Sequence, residues 1–94
     1  MRITIMFDKK STKWNYDLEY NKQFVRYQQM YITDRYKCQG YIYLNTIYEV
    51  LGLAWNPHDE NICWIYERDG ELEMSIFVSD DFLNKIDIDI LHNA

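Results

Sequence analysis

The chain of 94 residues is poor in the residues that break a backbone or crosslink it. It has three glycines, one proline, two cysteines and two histidines. So few glycines leave no glycine-rich loop for a phosphate group. Cys38 and Cys63 form no C-x-x-C pair, and we expect two reduced thiols. Neither cysteine combines with His58 or His92 at a zinc-binding spacing, so we predict no metal and no cofactor.

Long hydrophobic runs are also missing. No stretch approaches the ~18 apolar residues that a membrane-spanning helix needs. The apolar block RITIMF near the start is too short for the hydrophobic region of a secretory signal. These absences predict a soluble, intracellular protein that does not contact a membrane.

What the chain has in quantity is apolar and aromatic side chains. Hydrophobic residues make up 48% of the sequence and aromatic residues 17%, and nine residues are tyrosines. This composition predicts one folded domain over residues 1–94. A tyrosine has a large ring with a polar tip, so some of the nine are expected half-exposed at an interface.

The first half of the sequence predicts a strand and a long helix. Residues 2–7 alternate and are β-branched, which favours a strand. Residues 16–34 carry aromatic side chains at spacings of three and four, which predicts a helix with Asn15 as its N-cap. The same spacing places these aromatic residues on one face, which we expect to be the core face: Tyr16, Tyr20, Phe24, Tyr27 and Tyr31.

The second half predicts a short helix and a sheet. Residues 41–43 are extended, and a short helix follows with Asn45 as N-cap and Gly52 after its end. The pair Asp69-Gly70 between residues 62–67 and 71–77 is a strong hairpin signal. Residues 84–91 alternate isoleucine with aspartate and predict a half-buried strand. The fold class is therefore α+β, with one long and one short helix packed on a mostly antiparallel sheet of about four strands.

Charge is divided unevenly along the chain. Residues 1–47 hold eight basic and four acidic residues, whereas residues 48–94 hold two basic and eleven acidic residues. The acidic half predicts a surface that binds a protein partner, since opposed charge speeds association and aromatic side chains anchor it. We expect carboxylates and aromatic anchors at this surface: Glu71, Glu73, Asp80 and Asp81, with Trp64 and Tyr66.

Two other functions stay open at this point. Direct nucleic-acid binding would use basic and aromatic residues of the first half: Lys9, Lys10, Lys13, Trp14, Lys22 and Arg26. The sequence pI of about 4.8 does not favour nucleic-acid binding, because nucleic-acid-binding domains are usually basic. A structural accessory domain that packs on itself or on a larger protein is the other alternative, and either a monomer or a homodimer is compatible with the sequence.

Enzymatic activity is not expected. The paired carboxylates Asp80/Asp81, Asp87/Asp89 and Glu71/Glu73 fall on predicted solvent faces, where ordinary pKa values make them poor acid–base catalysts. Cys63 lies between apolar residues of a predicted strand and is expected to be packed rather than nucleophilic.

One stretch carries a resemblance. The segment GYIYLNTIYEVLGL (40–53), Trp64 within ICWIYERDG, and Phe82-Leu83-Asn84 are similar to a group of small uncharacterised phage and prophage proteins of Firmicutes. The similarity covers about residues 20–94. It implies a phage or mobile-element protein in the cytoplasm of a bacterial host cell, and it implies no reaction. The concrete function to test is therefore inhibition of a host nucleic-acid-handling defence complex, by anti-CRISPR-like occlusion of a basic groove.

Overall fold

The computed structural model describes residues 1–78 and 85–92, and it confirms the α+β class with a long helix, a shorter helix and antiparallel sheets. The long helix α1 spans Leu18–Gln39 and the short helix α2 spans Leu44–Val50. The remaining elements, in chain order, are β1 (Arg2–Phe7), β2 (Tyr41–Tyr43), a 3₁₀ turn (Pro57–Asp59), β3 (Cys63–Ile65), α3 (Tyr66–Asp69), β4 (Met74–Val78) and β5 (Ile86–Leu91).

Three strands form the larger sheet, in the order β1-β5-β4, with all neighbours antiparallel. Side chains alternate between its two faces. The inner face is apolar, because Ile86, Ile88 and Ile90 of the central strand are buried together with Ile5 and Phe7 of β1. The outer face carries the alternating residues of the same strands, which are polar at Thr4, Asp87 and Asp89 and apolar at Met6 and Leu91. The predicted strand 2–7 is present, the predicted strand 84–91 is present over Ile86–Leu91, and the two pair with each other.

Helix α1 completes the core with its buried side chains Val25, Ile32 and Tyr36, which join the same hydrophobic cluster as the sheet. Phe24 is partly buried against the same cluster, and its ring stacks on that of Phe7 with the ring centroids 5.4 Å apart. Gln29 donates a 3.1 Å hydrogen bond to the backbone oxygen of Met74, which ties α1 to β4. The buried side of α1 therefore faces the inner face of the sheet.

The predicted core face of α1 was wrong for four of its five aromatic residues, because Tyr16, Tyr20, Tyr27 and Tyr31 are exposed. The physical reason is that the helix carries two stripes at helical spacing, one rich in tyrosine and one that combines aliphatic, aromatic and amide side chains. The second stripe is the one that packs, and it is buried at Asn21, Val25, Ile32 and Tyr36. Periodicity indicates a helix correctly, but it does not choose between two stripes.

Helix α1 begins two residues later and ends five residues later than the predicted helix over residues 16–34. Asp17, and not Asn15, is the N-cap, and its side chain accepts a hydrogen bond from the backbone N–H of Glu19. Asn15 accepts from the N–H of Asp17 one step earlier. At the other end Gly40 has φ 84°, so it takes the left-handed conformation that ends a helix without strain.

The predicted hairpin around Asp69-Gly70 is absent. Strand β3 pairs with β2 in a separate two-stranded sheet, and β4 pairs with β5. Between them the chain turns once as α3, where the Asp69 side chain accepts a 2.8 Å hydrogen bond from the backbone N–H of Ile65. This side-chain bond stabilises a helical turn in place of the tight strand turn that Asp-Gly otherwise favours.

The two sheets meet at Trp64, which is 1% exposed. Its indole Nε1 donates a 2.9 Å hydrogen bond to the backbone oxygen of Leu91 at the end of β5. The ring also contacts that of His92 edge-on, at a centroid distance of 4.9 Å. The expectation that Trp64 is a surface anchor is therefore wrong, because its ring belongs to the core.

The segment 40–53 is a structural junction. Asn45 lies inside α2 and is buried, so it is not the N-cap, a position that Tyr43 takes. Its amide oxygen accepts from the N–H of Asn56 at 2.9 Å, and its amide nitrogen donates to the oxygen of the same residue at 3.2 Å. Asn45 thus holds the loop that precedes the 3₁₀ turn against α2.

Candidate functional site

Glu71 and Tyr66 of the predicted site lie together but are already paired. The Tyr66 hydroxyl donates a 2.9 Å hydrogen bond to Glu71, and Lys37 Nζ lies 3.2 Å from the other carboxylate oxygen. The hydrogen bond from Tyr66, and then that from Lys37, hold the pKa of Glu71 below its usual value. The carboxylate raises the pKa of Tyr66 in return. Because a cation of α1 already neutralises it, Glu71 adds little negative charge for a partner.

Asp69 is a second carboxylate that serves the fold. Arg68 Nη2 lies 2.9 Å from Asp69 Oδ2, and the Asp69 side chain is nearly inaccessible to solvent. Hydrogen bonds from Arg68 and then from the N–H of Ile65 lower the pKa of Asp69. The turn after β3 is therefore held by one ion pair and one backbone hydrogen bond to Asp69, and it is not an open acidic surface.

The other predicted carboxylates separate into two groups. Asp80 and Asp81 lie outside the described residues. Glu73 is exposed and lies beside the end of β4, next to Leu91, whose N–H donates to its backbone oxygen at 3.0 Å. Glu73 therefore belongs to the outer face of the three-stranded sheet, together with residues of the other two strands.

This outer sheet face combines carboxylates with large apolar side chains. Cross-strand register places Met6 and Phe77 on either side of Asp87, and Thr4 and Ser75 on either side of Asp89. The complete outer sheet face comprises Arg2, Thr4 and Met6 of β1, Asp87, Asp89 and Leu91 of β5, and Glu73, Ser75 and Phe77 on the β4 side.

Three large hydrophobic residues of this face are exposed to solvent. Phe77 is 56% exposed, Met6 49% and Leu91 42%. Met6 and Phe77 lie on either side of Asp87, and Leu91 lies four residues further along the central strand, so the face exposes apolar side chains at both ends. Sequence reasoning identified the acidic face of β5 but missed Met6 and Phe77, because they join it only through the strand order β1-β5-β4.

The two aspartates of β5 are held in different ways. Asp89 accepts a 2.7 Å hydrogen bond from the Thr4 hydroxyl and lies 4.0 Å from Arg2. Asp87 pairs with Lys85 at 3.5 Å through Oδ2. Its Oδ1 is buried and has no hydrogen-bond partner among the described residues. A carboxylate oxygen in that state is unfavourable for the isolated fold, because it has lost water without gaining a donor.

A shallow, open depression of about 140 Å³ lies on the same face, lined in part by Arg2, Glu73 and Phe77. Its polar groups are carboxylates, a guanidinium and the Ser75 hydroxyl. Within residues 1–78 and 85–92, no group of three or more histidine, cysteine, aspartate or glutamate residues could hold a metal ion. The chemistry that this face offers is recognition of cationic and apolar groups.

The residues of the nucleic-acid alternative are dispersed over two elements. Lys9, Lys10 and Lys13 are exposed in the loop between β1 and α1. Trp14 is half-buried against Phe7, at a centroid distance of 5.3 Å, so part of its ring is unavailable for stacking on a base.

The two basic residues of α1 within that set differ from each other. Lys22 pairs with Glu19 at 3.2 Å on the first turns of the helix. Arg26 is exposed beside Tyr27, with which it lines a second shallow depression.

Comparison with known proteins assigns a family. Residues 3–91 match the model of a family described as a family of unknown function (DUF6353), and the chain belongs to that family. The match includes β1, which the resemblance drawn from residues 20–94 left out. No curated protein and no solved structure matches the chain. In the part that the structure describes, no helix is both long and apolar enough to cross a membrane.

Proposed function

We propose that the protein is a non-enzymatic binding protein that docks on a basic surface of a protein partner through its outer sheet face. The observation that carries the proposal is the arrangement around β5. There Asp87 and Asp89 are flanked by the exposed side chains of Met6 and Phe77 on the two neighbouring strands.

The energetics of this face suit a protein partner. Burying exposed apolar surface contributes roughly 25 cal/mol per Å², and aromatic side chains are frequent anchors of protein interfaces. Phe77 and Met6 provide that surface on either side of Asp87, at one end of the face. In the free protein Asp87 pairs with Lys85 and Asp89 with Arg2. A cationic partner would add donors to the exposed parts of these two carboxylates, which steers association and sets orientation.

The concrete partner that we propose is the basic, nucleic-acid-binding groove of a host defence complex. Asp87 and Asp89 lie two residues apart on one strand, so their side chains repeat at about 7 Å along a rigid support. A row of fixed carboxylates offers a positively charged groove the same kind of contact as a phosphate backbone. The phage context of this version rests on the resemblance of residues 40–53 and 64.

The proposal is tested by affinity capture from cells that naturally carry the gene. The variant E73K/F77K reverses one charge and removes the apolar anchor on an exposed edge strand, so the fold should persist. The control E49K/E60K places the same two lysines at exposed glutamates outside the sheet. A partner that the wild type and the control retain, and that E73K/F77K loses, supports the proposal. Equal retention by E73K/F77K contradicts it.

A second candidate function has one specific observation in its favour. Tyr20, Tyr27 and Tyr31 are exposed on α1, with the guanidinium of Arg35 3.5 Å from the Tyr31 hydroxyl. Exposed tyrosines beside arginines can stack on bases and contact phosphates. Fluorescence anisotropy with single- and double-stranded oligonucleotides at low salt tests this function, and the absence of binding removes it.

A further inference from the structure

We infer that two copies of this chain associate through the exposed side of α1, with the two helices antiparallel. This side of the helix is lined by Tyr20, Gln23, Tyr27, Met30 and Tyr31 and is named here the tyrosine stripe. It is distinct from the outer sheet face, because α1 packs its opposite side on the inner face of the sheet.

The tyrosine stripe exposes several large aromatic and apolar side chains to solvent. Tyr27 is 66% exposed and Met30 63%, and Tyr20 and Tyr31 are about half exposed. Gln23, Arg26, Tyr27 and Met30 line a shallow depression of about 200 Å³. An aromatic ring beside a depression is a knob-and-hole surface, which a second helix of the same kind can fill.

The spacing along the stripe suits a helix partner. Tyr20, Gln23, Tyr27, Met30 and Asp34 follow each other at intervals of three, four, three and four, the alternation of a helix–helix seam. Helix α1 has 22 residues and is about 33 Å long, so the seam extends over several turns. A pairing centred between Tyr27 and Met30 places the Met30 of each copy against the Tyr27 of the other, a favourable sulfur–aromatic contact.

The charged residues beside the tyrosine stripe favour pairing with a second copy of the chain, and they favour the antiparallel over the parallel direction. Arg26 and Asp34 are both exposed, and neither forms an ion pair within 4.0 Å with another described residue, although Asp34 interacts electrostatically with Lys37 over a longer distance. In the antiparallel pairing, Arg26 of each copy lies within about one helical turn of Asp34 of the other, so two attractive pairs form. A parallel pairing in register would bring Arg26 to Arg26 and Asp34 to Asp34, which is repulsive.

A dimer of this kind would present two outer sheet faces pointing away from each other. Each copy carries the outer sheet face on the side of the sheet opposite α1. Two binding faces on one particle gain avidity for a partner that repeats its basic surface. The dimer does not depend on the proposed docking function, since the two surfaces share no residue.

The test is a charge swap read by sedimentation equilibrium over a wide range of protein concentration. R26D and D34R each replace two attractions by two repulsions, and each should raise the dimer dissociation constant by about tenfold. The double variant R26D/D34R restores opposite charges and should return the constant close to that of the wild type. Thermal unfolding followed by circular dichroism checks that the variants fold.

Direction is tested with the natural Cys38, which is exposed on α1. In the antiparallel pairing the two Cys38 residues lie about 28 Å apart along the helices, so a short bismaleimide should not join them. A chain that stays monomeric at every concentration overturns the inference, as does a double variant that fails to recover. Efficient crosslinking at Cys38, or association that requires an added oligonucleotide, overturns it as well.

Discussion

The indole N–H of Trp64 donates a 2.9 Å hydrogen bond to the backbone oxygen of Leu91, and this contact joins the two-stranded sheet to the three-stranded sheet. Trp64 lies on β3 and Leu91 ends β5, whose outer residues form the proposed docking face. The contact links the two separate sheets beside that face. It also makes Trp64 a determinant of stability rather than of recognition.

Replacing Trp64 by phenylalanine should lower the free energy of unfolding by about 2–3 kcal/mol, because the variant loses the hydrogen bond and leaves a cavity. Urea unfolding monitored by circular dichroism measures this loss. Trp55 is 64% exposed and provides the matched control, W55F, with an expected change below about 0.5 kcal/mol. Equal effects of the two substitutions would show that Trp64 does not occupy the core.

Two glycines provide a second matched pair. Gly52 has φ 72°, and an added Cβ would lie 2.7 Å from Ser11 Oγ, which itself donates to the backbone oxygen of Leu51 at 2.6 Å. Gly40 has φ 84° but open space around it. We expect G40A to cost about 1 kcal/mol for the backbone conformation alone, and G52A about 2–3 kcal/mol because Ser11 must also move.

The same urea experiment compares the two glycine variants. The order of their effects is the test, since both share the left-handed backbone and differ only in their neighbours. A larger loss in G40A than in G52A would contradict the contact between Gly52 and the loop that carries Ser11.

Acid should destabilise the fold through Asp69 and Glu71. Both carboxylates have lowered pKa values in the folded protein. A lowered pKa means that the unfolded chain binds protons more readily, so stability is fully present above the ordinary pKa near 4 and is lost as pH falls through the lowered values. The free energy of unfolding should therefore decline from about pH 5 to pH 3.

The variant D69N identifies the source of that decline. It should be less stable than the wild type at pH 7 and should show a shallower decrease between pH 5 and pH 3. The control E60Q removes an exposed carboxylate and should leave the slope unchanged. If the free energy of unfolding of D69N falls between pH 5 and pH 3 as steeply as that of the wild type, the acid sensitivity comes from other carboxylates.

Asp87 should show a conflict between stability and binding. Its Oδ1 is buried and unbonded among the described residues, and the pair with Lys85 spans 3.5 Å. In D87T a β-branched side chain replaces the carboxylate in a central strand, so we expect the free energy of unfolding to rise by about 1 kcal/mol. Partner capture should weaken in the same variant. A variant that is less stable, or that binds as well as the wild type, contradicts this assignment.

Much of the fold could be predicted from local patterns, and the errors have definite causes. The alternation of Ile86, Ile88 and Ile90 with Asp87 and Asp89 identifies an inner and an outer face correctly. Strand order does not follow from such a pattern, because the pairing of β5 with β1 joins residues some 85 positions apart. The position of Met6 and Phe77 beside Asp87 therefore could not be predicted from the sequence pattern.

The failed hairpin has a more local cause. Asp69-Gly70 favours a tight turn between strands, but the Asp69 carboxylate instead bonds backward to Ile65 and Arg68. A side chain that can bond in two ways leaves the turn type undecided until tertiary contacts choose it. Next to this turn, the Gly70 backbone oxygen accepts a 2.6 Å hydrogen bond from the hydroxyl of the buried Tyr36.

The most direct measurement of the docking proposal is site-specific photocrosslinking in cells that naturally carry the gene. A photoreactive phenylalanine analogue at Phe77 lies on the β4 edge of the outer sheet face, beside Asp87, and the same analogue at the fully exposed Tyr16 is the control. The proposal predicts one discrete covalent protein complex from position 77, absent from position 16 and lost when E73K is added. Equal crosslinking at both positions, or none at position 77 while a partner is captured, would contradict it.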